Sequence, residues 1–161
     1  DVYKRQLYSQ AGHRGGAFVA ETEATDPVTE SIALTTIDEL VASLGIDRVS
    51  LIKLDVEGSE VHALRGARDT VRSARSVVVA ECNPIALRRF QGHTAADMYR
   101  ELAALSDDGR VGLLGRDGDV RELPSAAALV AALDQQGLAE LVVNVNASAR
   151  PVLWQLSLIH I

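Results

Sequence analysis

Three carboxylates stand close together in the stretch LIKLDVEGSEVHALRGA, which covers positions 51–67. Asp55, Glu57 and Glu60 lie within six residues, where an apolar run gives way to a helical pattern. Carboxylates at the end of a strand can act as a general base, orient a hydroxyl group or bind a divalent metal ion. Glu60 also has a structural interpretation, because the helix dipole stabilises a negative charge in the first turn of a helix.

A second group of polar residues follows the later apolar run VVVAECN, at positions 77–83. Glu81 and Asn83 are two residues apart, so they share one face of a strand. If this strand is a parallel neighbour of the strand before Asp55, the side chains of Asp55 and Glu81 approach one pocket. We therefore take Asp55, Glu57 and Glu81 as candidate catalytic residues. Lys53 lies on the same face as Asp55, needs Asp55 or Glu81 as a partner, and is interpreted as structural support.

Histidines occur at positions 13, 62, 93 and 160, and no two of them have the close spacing of a zinc site. His13, in the loop-like stretch GHRGG, is together with Asn83 a candidate substrate-binding residue. We expect His62 to lie on the surface of a helix, and His93 to precede a helix that begins at Thr94. The spacing D-x-E-x-x-E lacks the further oxygen ligands of a calcium loop, so we predict no metal site.

The elements that must position these residues alternate between strands and helices. SIALTT is β-prone, and Thr36 suits the N-cap of a helix IDELVASLG that ends at Gly45. VSLIKLDV is apolar at most positions, which predicts a strand covered on both faces. A helical stripe of apolar residues follows, and we expect Gly66 to weaken or split that helix. SVVVAEC predicts a second buried strand, and two strands joined by a helix form a parallel βαβ unit of the α/β class.

The segments on either side of this βαβ unit also have sequence patterns that predict strands and helices. Positions 8–30 predict a loop with one short strand, AFVAE. Downstream, TAADMYRELAAL and SAAALVAALDQQG predict helices, GRVGLLGRDGDVREL predicts two strands joined by a turn, and AELVVNVNA predicts a last strand. We expect this closing part to occupy the far edge of a doubly wound sheet.

Composition limits the classes of protein that fit. The chain has 161 residues, of which 47% are hydrophobic, enough for one globular domain with a buried core. Its formal net charge of -6 argues against a nucleic-acid or acidic-membrane partner. The single cysteine, Cys82, is expected in the core and cannot form an intrachain disulfide, which favours a cytoplasmic setting.

The two ends of the chain resemble translated sequencing-adapter read-through. We interpret residues 1–6, DVYKRQ, and residues 156–161, LSLIHI, as non-native tails. Residues 7–155 then form a partial domain of a longer protein. We expect this piece alone to be poorly soluble, because VSLIKLDV would expose an apolar strand edge.

The ordered pattern TTIDEL, LIKLDVEGSEVHALRGA and VVVAECN resembles the FkbM-type S-adenosylmethionine-dependent methyltransferases. The signature K-[IL]-D-V-E-G-x-E-x-x-x-L-x-G-A is matched from Lys53 to Ala67. The resemblance implies a class I methyltransferase fold, a Rossmann-like doubly wound sheet that is truncated here at its N-terminal half. It also implies S-adenosylmethionine as the cofactor, and methyl transfer to a hydroxyl group of a sugar or small natural product.

The resemblance assigns roles to the candidate residues. It implies that Asp55 faces the donor methyl group. From their positions at the strand ends, we further expect Asp55 to orient or deprotonate the acceptor, Glu81 to shape the same pocket, and Glu57 to assist or bind a metal. The glycine-rich cofactor loop of the family and its ribose-binding acid have no counterpart in this sequence. We expect them upstream of residue 1, which would leave the fragment itself inactive.

Two other interpretations stay open at this point. One is a Mg²⁺-dependent α/β enzyme that uses the same carboxylates with a phosphorylated ligand. The other is a non-catalytic Rossmann-like binding module. In the favoured interpretation the partner is a small-molecule hydroxyl acceptor, with no nucleic acid and no membrane.

Overall fold

The computed structural model describes residues 3–9, 17–19 and 28–144. The first three strands form an antiparallel sheet in the order β2-β1-β3; they are β1 (Tyr3–Ser9), β2 (Ala17–Val19) and β3 (Val28–Leu34). The short strand expected from AFVAE is therefore confirmed. Strand β1 overlaps the segment 1–6, and the adapter-like origin of that segment stays a prediction.

A second sheet has five strands in the order β4-β5-β8-β6-β7. Its strands are β4 (Leu51–Leu54), β5 (Val77–Cys82), β6 (Val111–Leu114), β7 (Val120–Leu123) and β8 (Ala139–Asn144). Strands β4 and β5 are parallel, as the βαβ prediction requires, and the other neighbouring pairs are antiparallel. With its flanking helices, this sheet confirms the α/β class and is consistent with a Rossmann-like methyltransferase fold.

The position of the last strand corrects one expectation. The hairpin of β6 and β7 does lie at the far edge of the sheet, but β8 is inserted between β5 and β6. An interior strand needs apolar residues on both faces, and Leu141, Val142 and Val143 are all buried. The closing part of the chain thus completes the middle of the sheet as well as its edge.

The helices between β3 and β5 are short and closely connected. Helix α1 (Ile37–Ser43) begins with a capping box, in which Thr36 Oγ1 accepts the Glu39 N–H at 3.1 Å and Glu39 Oε2 accepts the Thr36 N–H at 3.1 Å. Helices α2 (Glu60–Arg65) and α3 (Arg68–Ala74) are separated at Gly66, which confirms the predicted split. A Cβ atom on Gly66 would lie 3.0 Å from the Thr36 Cβ, so glycine permits this close approach.

Three more helices complete the described chain, α4 (Pro84–Gln91), α5 (Ala95–Leu105) and α6 (Ala126–Gln136). The sequence patterns predicted α5 and α6 but missed α4. Its signals are local, with Asn83 as N-cap, proline at the first position and Gly92 in a left-handed conformation at the C-terminus. None of the helices in the described ranges is long and apolar enough to cross a membrane.

The core lies on one face of the five-stranded sheet. Ile52, Leu54 and Val78 from the sheet pack with apolar side chains of the helices, including Val61, Leu64, Val71, Met98, Leu102, Leu129 and Leu133. The other face of β4 is open, because Leu51 is 51% exposed whereas Ile52 is only 8% exposed. The expectation that this strand is covered on both faces is therefore wrong for the described structure. As an edge strand, β4 contacts core side chains at alternate residues only.

Candidate functional site

Acidic side chains from three neighbouring strands form a row at one end of the sheet. The parallel register places Leu54 beside Ala80, so Asp55 and Glu81 are the next residues along β4 and β5. Across the antiparallel pair, Glu81 lies opposite Glu140 of β8. Directly opposed residues share a face of a sheet. In the structure, Asp55 and Glu81 therefore lie at the ends of neighbouring parallel strands, as predicted. Glu140 lies beside Glu81 on the next strand, and the sequence patterns did not single it out.

Lys53 lies among these carboxylates. Its Nζ is 3.4 Å from Asp55 Oδ2 and 3.9 Å from Glu140 Oε1. The predicted partnership with Asp55 is confirmed. The side chains of Lys53 and Asp55 are each 50% exposed, and ion pairs of this kind contribute about 0–1 kcal/mol to stability. Lys53 therefore serves mainly to hold Asp55 and to balance part of the negative charge.

Glu81 has the most perturbed environment of the predicted catalytic residues. Burial raises the pKa of its carboxyl group, and the negative charges of Asp55, Glu57 and Glu60 raise that pKa further. The cationic Lys53 opposes this effect without cancelling it. A carboxylate with a raised pKa is a better proton acceptor near neutral pH than an ordinary one. The geometry and the charge together make Glu81 suited to general-base chemistry.

The turn between β4 and α2 has an unusual backbone. Glu57 has a φ of 48° and Gly58 a φ of 96°, and both values lie in the region that L-residues rarely adopt. A Cβ atom on Gly58 would lie 2.6 Å from the carbonyl oxygen of Ala86, so only glycine fits against α4 here. This turn fixes the backbone conformation of Glu57, the third predicted catalytic residue.

Glu60, the first residue of α2, stabilises the same turn through hydrogen bonds to its backbone. Its Oε1 accepts the Val56 N–H at 3.1 Å and the Gly58 N–H at 3.2 Å. The side chain is only 2% exposed, and burial raises the pKa of its carboxyl group. Its Oε2 has no hydrogen-bond partner within the described part of the chain. The structural interpretation of Glu60 is supported, although by backbone hydrogen bonds in addition to the helix dipole.

Asn83 and Gln91 connect α4 to this region. Asn83 Oδ1 accepts the N–H groups of Ile85 and Ala86 at 3.1 and 3.2 Å, so it is the N-cap of α4. Its proposed contact with a substrate stays a prediction. Gln91 Nε2 donates to Ser59 Oγ at 3.0 Å and to the carbonyl oxygen of Val19, which joins β2 to the start of α2. His13, the other predicted substrate-binding residue, lies outside the described residues.

The thiol of Cys82 and a larger cluster of metal ligands would be two other kinds of functional site. Cys82 is buried as expected, and burial together with the charges of Glu60 and Glu81 raises the pKa of its thiol to about 12. A thiol with such a pKa is not ionised at neutral pH and is a poor nucleophile. Within residues 3–9, 17–19 and 28–144, no group of three or more His, Cys, Asp or Glu side chains is arranged to hold a metal ion.

Two histidines that are far apart in sequence are adjacent in the structure. His62 on α2 and His93, just before α5, have their Nε2 atoms 3.3 Å apart. His62 is exposed and His93 precedes the N-cap Thr94, as expected. Their proximity was missed, because it depends on the packing of α2 against α5 and has no signal in sequence spacing.

A separate open cleft of about 320 Å³ lies between α4, α5 and α6. Its lining is partly apolar and includes Ile85, Arg88, His93, Val130 and Asp134. None of the residues of the acidic row lines it. The cleft and the strand-end carboxylates are therefore two different features of the surface.

Glu140 is the functional candidate that sequence reasoning missed at the acidic row. It lies in the stretch AELVVNVNA, which the alternating pattern already identified as a strand. Nothing in that pattern says which strand is its neighbour. The antiparallel pairing with β5, set by the whole sheet, is what brings Glu140 opposite Glu81.

Comparison with known protein families identifies a matching family model. A family model described as "Methyltransferase FkbM domain" matches residues 4–109, which include β4, α2, β5 and the turn that carries Asp55 and Glu57. No curated protein matches the chain significantly. No solved structure matches it significantly either.

Proposed function

The chain belongs to the FkbM methyltransferase family, and from this premise we propose that it is part of an S-adenosylmethionine-dependent methyltransferase that methylates a hydroxyl group. The acceptor class we propose is a sugar or a small natural product. The observation that carries the proposal is the acidic row of Asp55, Glu81 and Glu140 at the ends of neighbouring strands. In α/β sheets, ligands bind outside the carboxyl ends of the parallel strands, where Asp55 and Glu81 lie.

The roles of the carboxylates follow from their surroundings. Glu81 accepts the proton of the acceptor hydroxyl, which its raised pKa supports. Asp55, held by Lys53 at 3.4 Å, orients that hydroxyl. Glu57, which has a φ of 48° in the tight turn after β4, assists in binding. Correct orientation of two reactants contributes roughly 7–11 kcal/mol to lowering a barrier, and a general base adds about 10²- to 10⁴-fold in rate.

The residues present fit the charge of the proposed cofactor. S-adenosylmethionine, when bound, supplies an electrophilic methyl group on a positively charged sulfur. The acidic row carries three carboxylates against the single cation of Lys53. Asp55, Glu57 and Glu81 would hold that positive charge at the strand ends. A net negative site of this kind attracts a cationic ligand and lowers the affinity for phosphorylated ones.

The same charge argument supports the proposed partners and setting. With a formal net charge of -6, the chain repels nucleic acid and acidic lipid surfaces, so we propose a small-molecule acceptor as the partner. The one cysteine is buried and needs no oxidising compartment, which supports a cytoplasmic location.

The test uses the complete protein encoded by the surrounding reading frame. Methyl transfer from S-adenosylmethionine is measured against a panel of sugars and small hydroxylated compounds, and cofactor affinity is measured separately by calorimetry. We expect Asp55→Asn and Glu81→Gln to lower kcat by about 10²- to 10⁴-fold, since each removes a group that acts on the acceptor. Glu122→Gln, at an exposed side chain of the edge strand β7, is the matched control and should retain wild-type turnover.

Two outcomes would contradict the proposal. Wild-type turnover in Asp55→Asn and Glu81→Gln would remove the catalytic role of the acidic row. Tight cofactor binding by the wild-type protein without methyl transfer to any acceptor in the panel would support the binding-module interpretation instead.

A further inference from the structure

His62 and His93 form a pair whose geometry is not required by the proposed methyl transfer. Their Nε2 atoms are 3.3 Å apart, and the ring centroids are 4.9 Å apart with the planes tilted by 56°. Neither residue belongs to the acidic row. Without a bound ion, this distance corresponds to one imidazole donating a hydrogen bond to the other, which requires at least one of the rings to be neutral.

The same separation matches two imidazoles that share a metal ion. Zinc binds imidazole nitrogen at 2.0–2.1 Å in tetrahedral geometry, so two nitrogens on one ion lie roughly 3.3–3.4 Å apart. Square-planar coordination of the same bond length requires a shorter separation, roughly 2.9 Å. The separation of the two Nε2 atoms therefore matches tetrahedral coordination, and a rotation of the rings would direct both nitrogens at one ion.

The backbone positions of both histidines are fixed by the fold. His62 lies in α2, and Arg65 and Arg68 bind the carboxylate of Glu101 on α5 with distances of 2.7 and 2.5 Å. His93 follows the left-handed Gly92, and its N–H donates to the carbonyl oxygen of Leu87 at 3.1 Å. Metal affinity rises when ligands are already held in place, because less conformational entropy is lost on binding.

We propose that His62 and His93 form a two-histidine binding site for a divalent transition-metal ion, with Zn²⁺ as the ion that fits the geometry best. Two imidazole nitrogens supply half of a tetrahedral shell, and water or an external ligand supplies the rest. The site links α2 to the short segment just before α5, and α2 and α5 pack against each other. Binding is therefore expected to stabilise the contact between them.

The test is a Zn²⁺ titration of the metal-free complete protein encoded by the surrounding reading frame, in competition with a chromophoric chelator. We expect one equivalent of Zn²⁺ to bind to the wild type. His62→Gln and His93→Gln should each weaken binding by at least about tenfold, since even outer-shell changes have effects of this size. Their circular dichroism spectra should match the wild type.

Two control variants distinguish this site from other candidate ligands. Asp55→Asn removes a carboxylate of the acidic row, and Glu122→Gln removes an exposed carboxylate of β7; both should bind Zn²⁺ as the wild type does. Nuclear magnetic resonance spectra should show the imidazole signals of His62 and His93 shifting together on titration. The proposal is overturned if the folded wild-type chain binds no Zn²⁺, or if binding survives in both His62→Gln and His93→Gln.

Discussion

Glu60 and Glu81 are both glutamates near the end of the parallel strands, but they differ in how far they are buried. This difference gives them different roles. Glu81 is partly exposed at the strand end, where its raised pKa can be used on a ligand. Glu60 is buried under the turn and uses Oε1 to hold the amides of Val56 and Gly58. Burial is the largest cause of the raised pKa of each carboxyl group. At the scale of single residues, access to solvent therefore separates a catalytic candidate from a structural one.

The first prediction concerns how the stability of the fold depends on the ionisation of Glu60. Because its folded pKa is raised above the ordinary 4.5, the neutral carboxyl group favours the fold below that pH, and the advantage is lost as the pH rises through the folded pKa. The wild type should therefore lose stability relative to Glu60→Gln between about pH 4 and about pH 8. Urea unfolding at the two pH values measures this difference.

A matched substitution separates the charge of Glu60 from its hydrogen bonds. Glu60→Gln keeps an oxygen for the N–H groups of Val56 and Gly58, whereas Glu60→Ala leaves the buried Gly58 N–H without a partner. We expect Glu60→Ala to be less stable than Glu60→Gln by about 1–3 kcal/mol. Equal stability of these two variants would show that the hydrogen bonds contribute little.

At the scale of elements, the turn between β4 and α2 determines where the candidate catalytic residues of this segment lie. It changes the chain direction in a few residues while it places Asp55 and Glu57 at the strand end. Gly58 makes this possible in two ways, through its φ of 96° and through its contact with the backbone of Ala86. The same close approach packs the turn against helix α4.

The second prediction tests the turn with a pair of glycine substitutions. Gly58→Ala should reduce the free energy of unfolding by at least about 3 kcal/mol, because it adds a steric clash to an unfavourable φ. Gly92→Ala is the control: Gly92 has a φ of 69°, but nothing lies within 4 Å of its Cβ position. It should lose only about 1–2 kcal/mol. Similar losses in urea unfolding would contradict the proposed packing of the turn on α4.

At the scale of the whole molecule, the five-stranded sheet has a covered face and an open one at β4. Strand β4 is also at the edge of this sheet, so its outer backbone groups have no strand partner among the described residues. Exposed Leu51 adds an apolar side chain to that edge. Edges of this kind promote association between chains.

The third prediction compares two neighbouring residues of β4. Leu51→Lys should change the stability by no more than about 0.5 kcal/mol and should reduce association measured by light scattering, since the side chain is exposed. Ile52→Lys should destabilise the fold by more than about 3 kcal/mol, because it places a charge in the core. Comparable losses of stability in the two variants would contradict the alternating burial of this strand.

The local elements could be predicted because their signals are local. Thr36 and Thr94 cap the helices that follow them, and Gly66 divides α2 from α3 as expected. Helix α4 was missed although Asn83 and the following proline are suitable start signals. The candidate site was predicted in part, because Asp55 and Glu81 belong to one βαβ unit, in which the handedness and direction of the strands are fixed.

The sequence by itself determined the βαβ unit, helices α5 and α6, the strand-end carboxylates and the family signature, because each depends on residues that are close together in the chain. The tertiary structure alone decided that β8 pairs with β5, that Glu140 completes the acidic row, and that His62 meets His93. It also decided that one face of β4 is open. These features depend on which surfaces pack together over long sequence separations, and that choice is made by the burial of the whole core rather than by any local pattern.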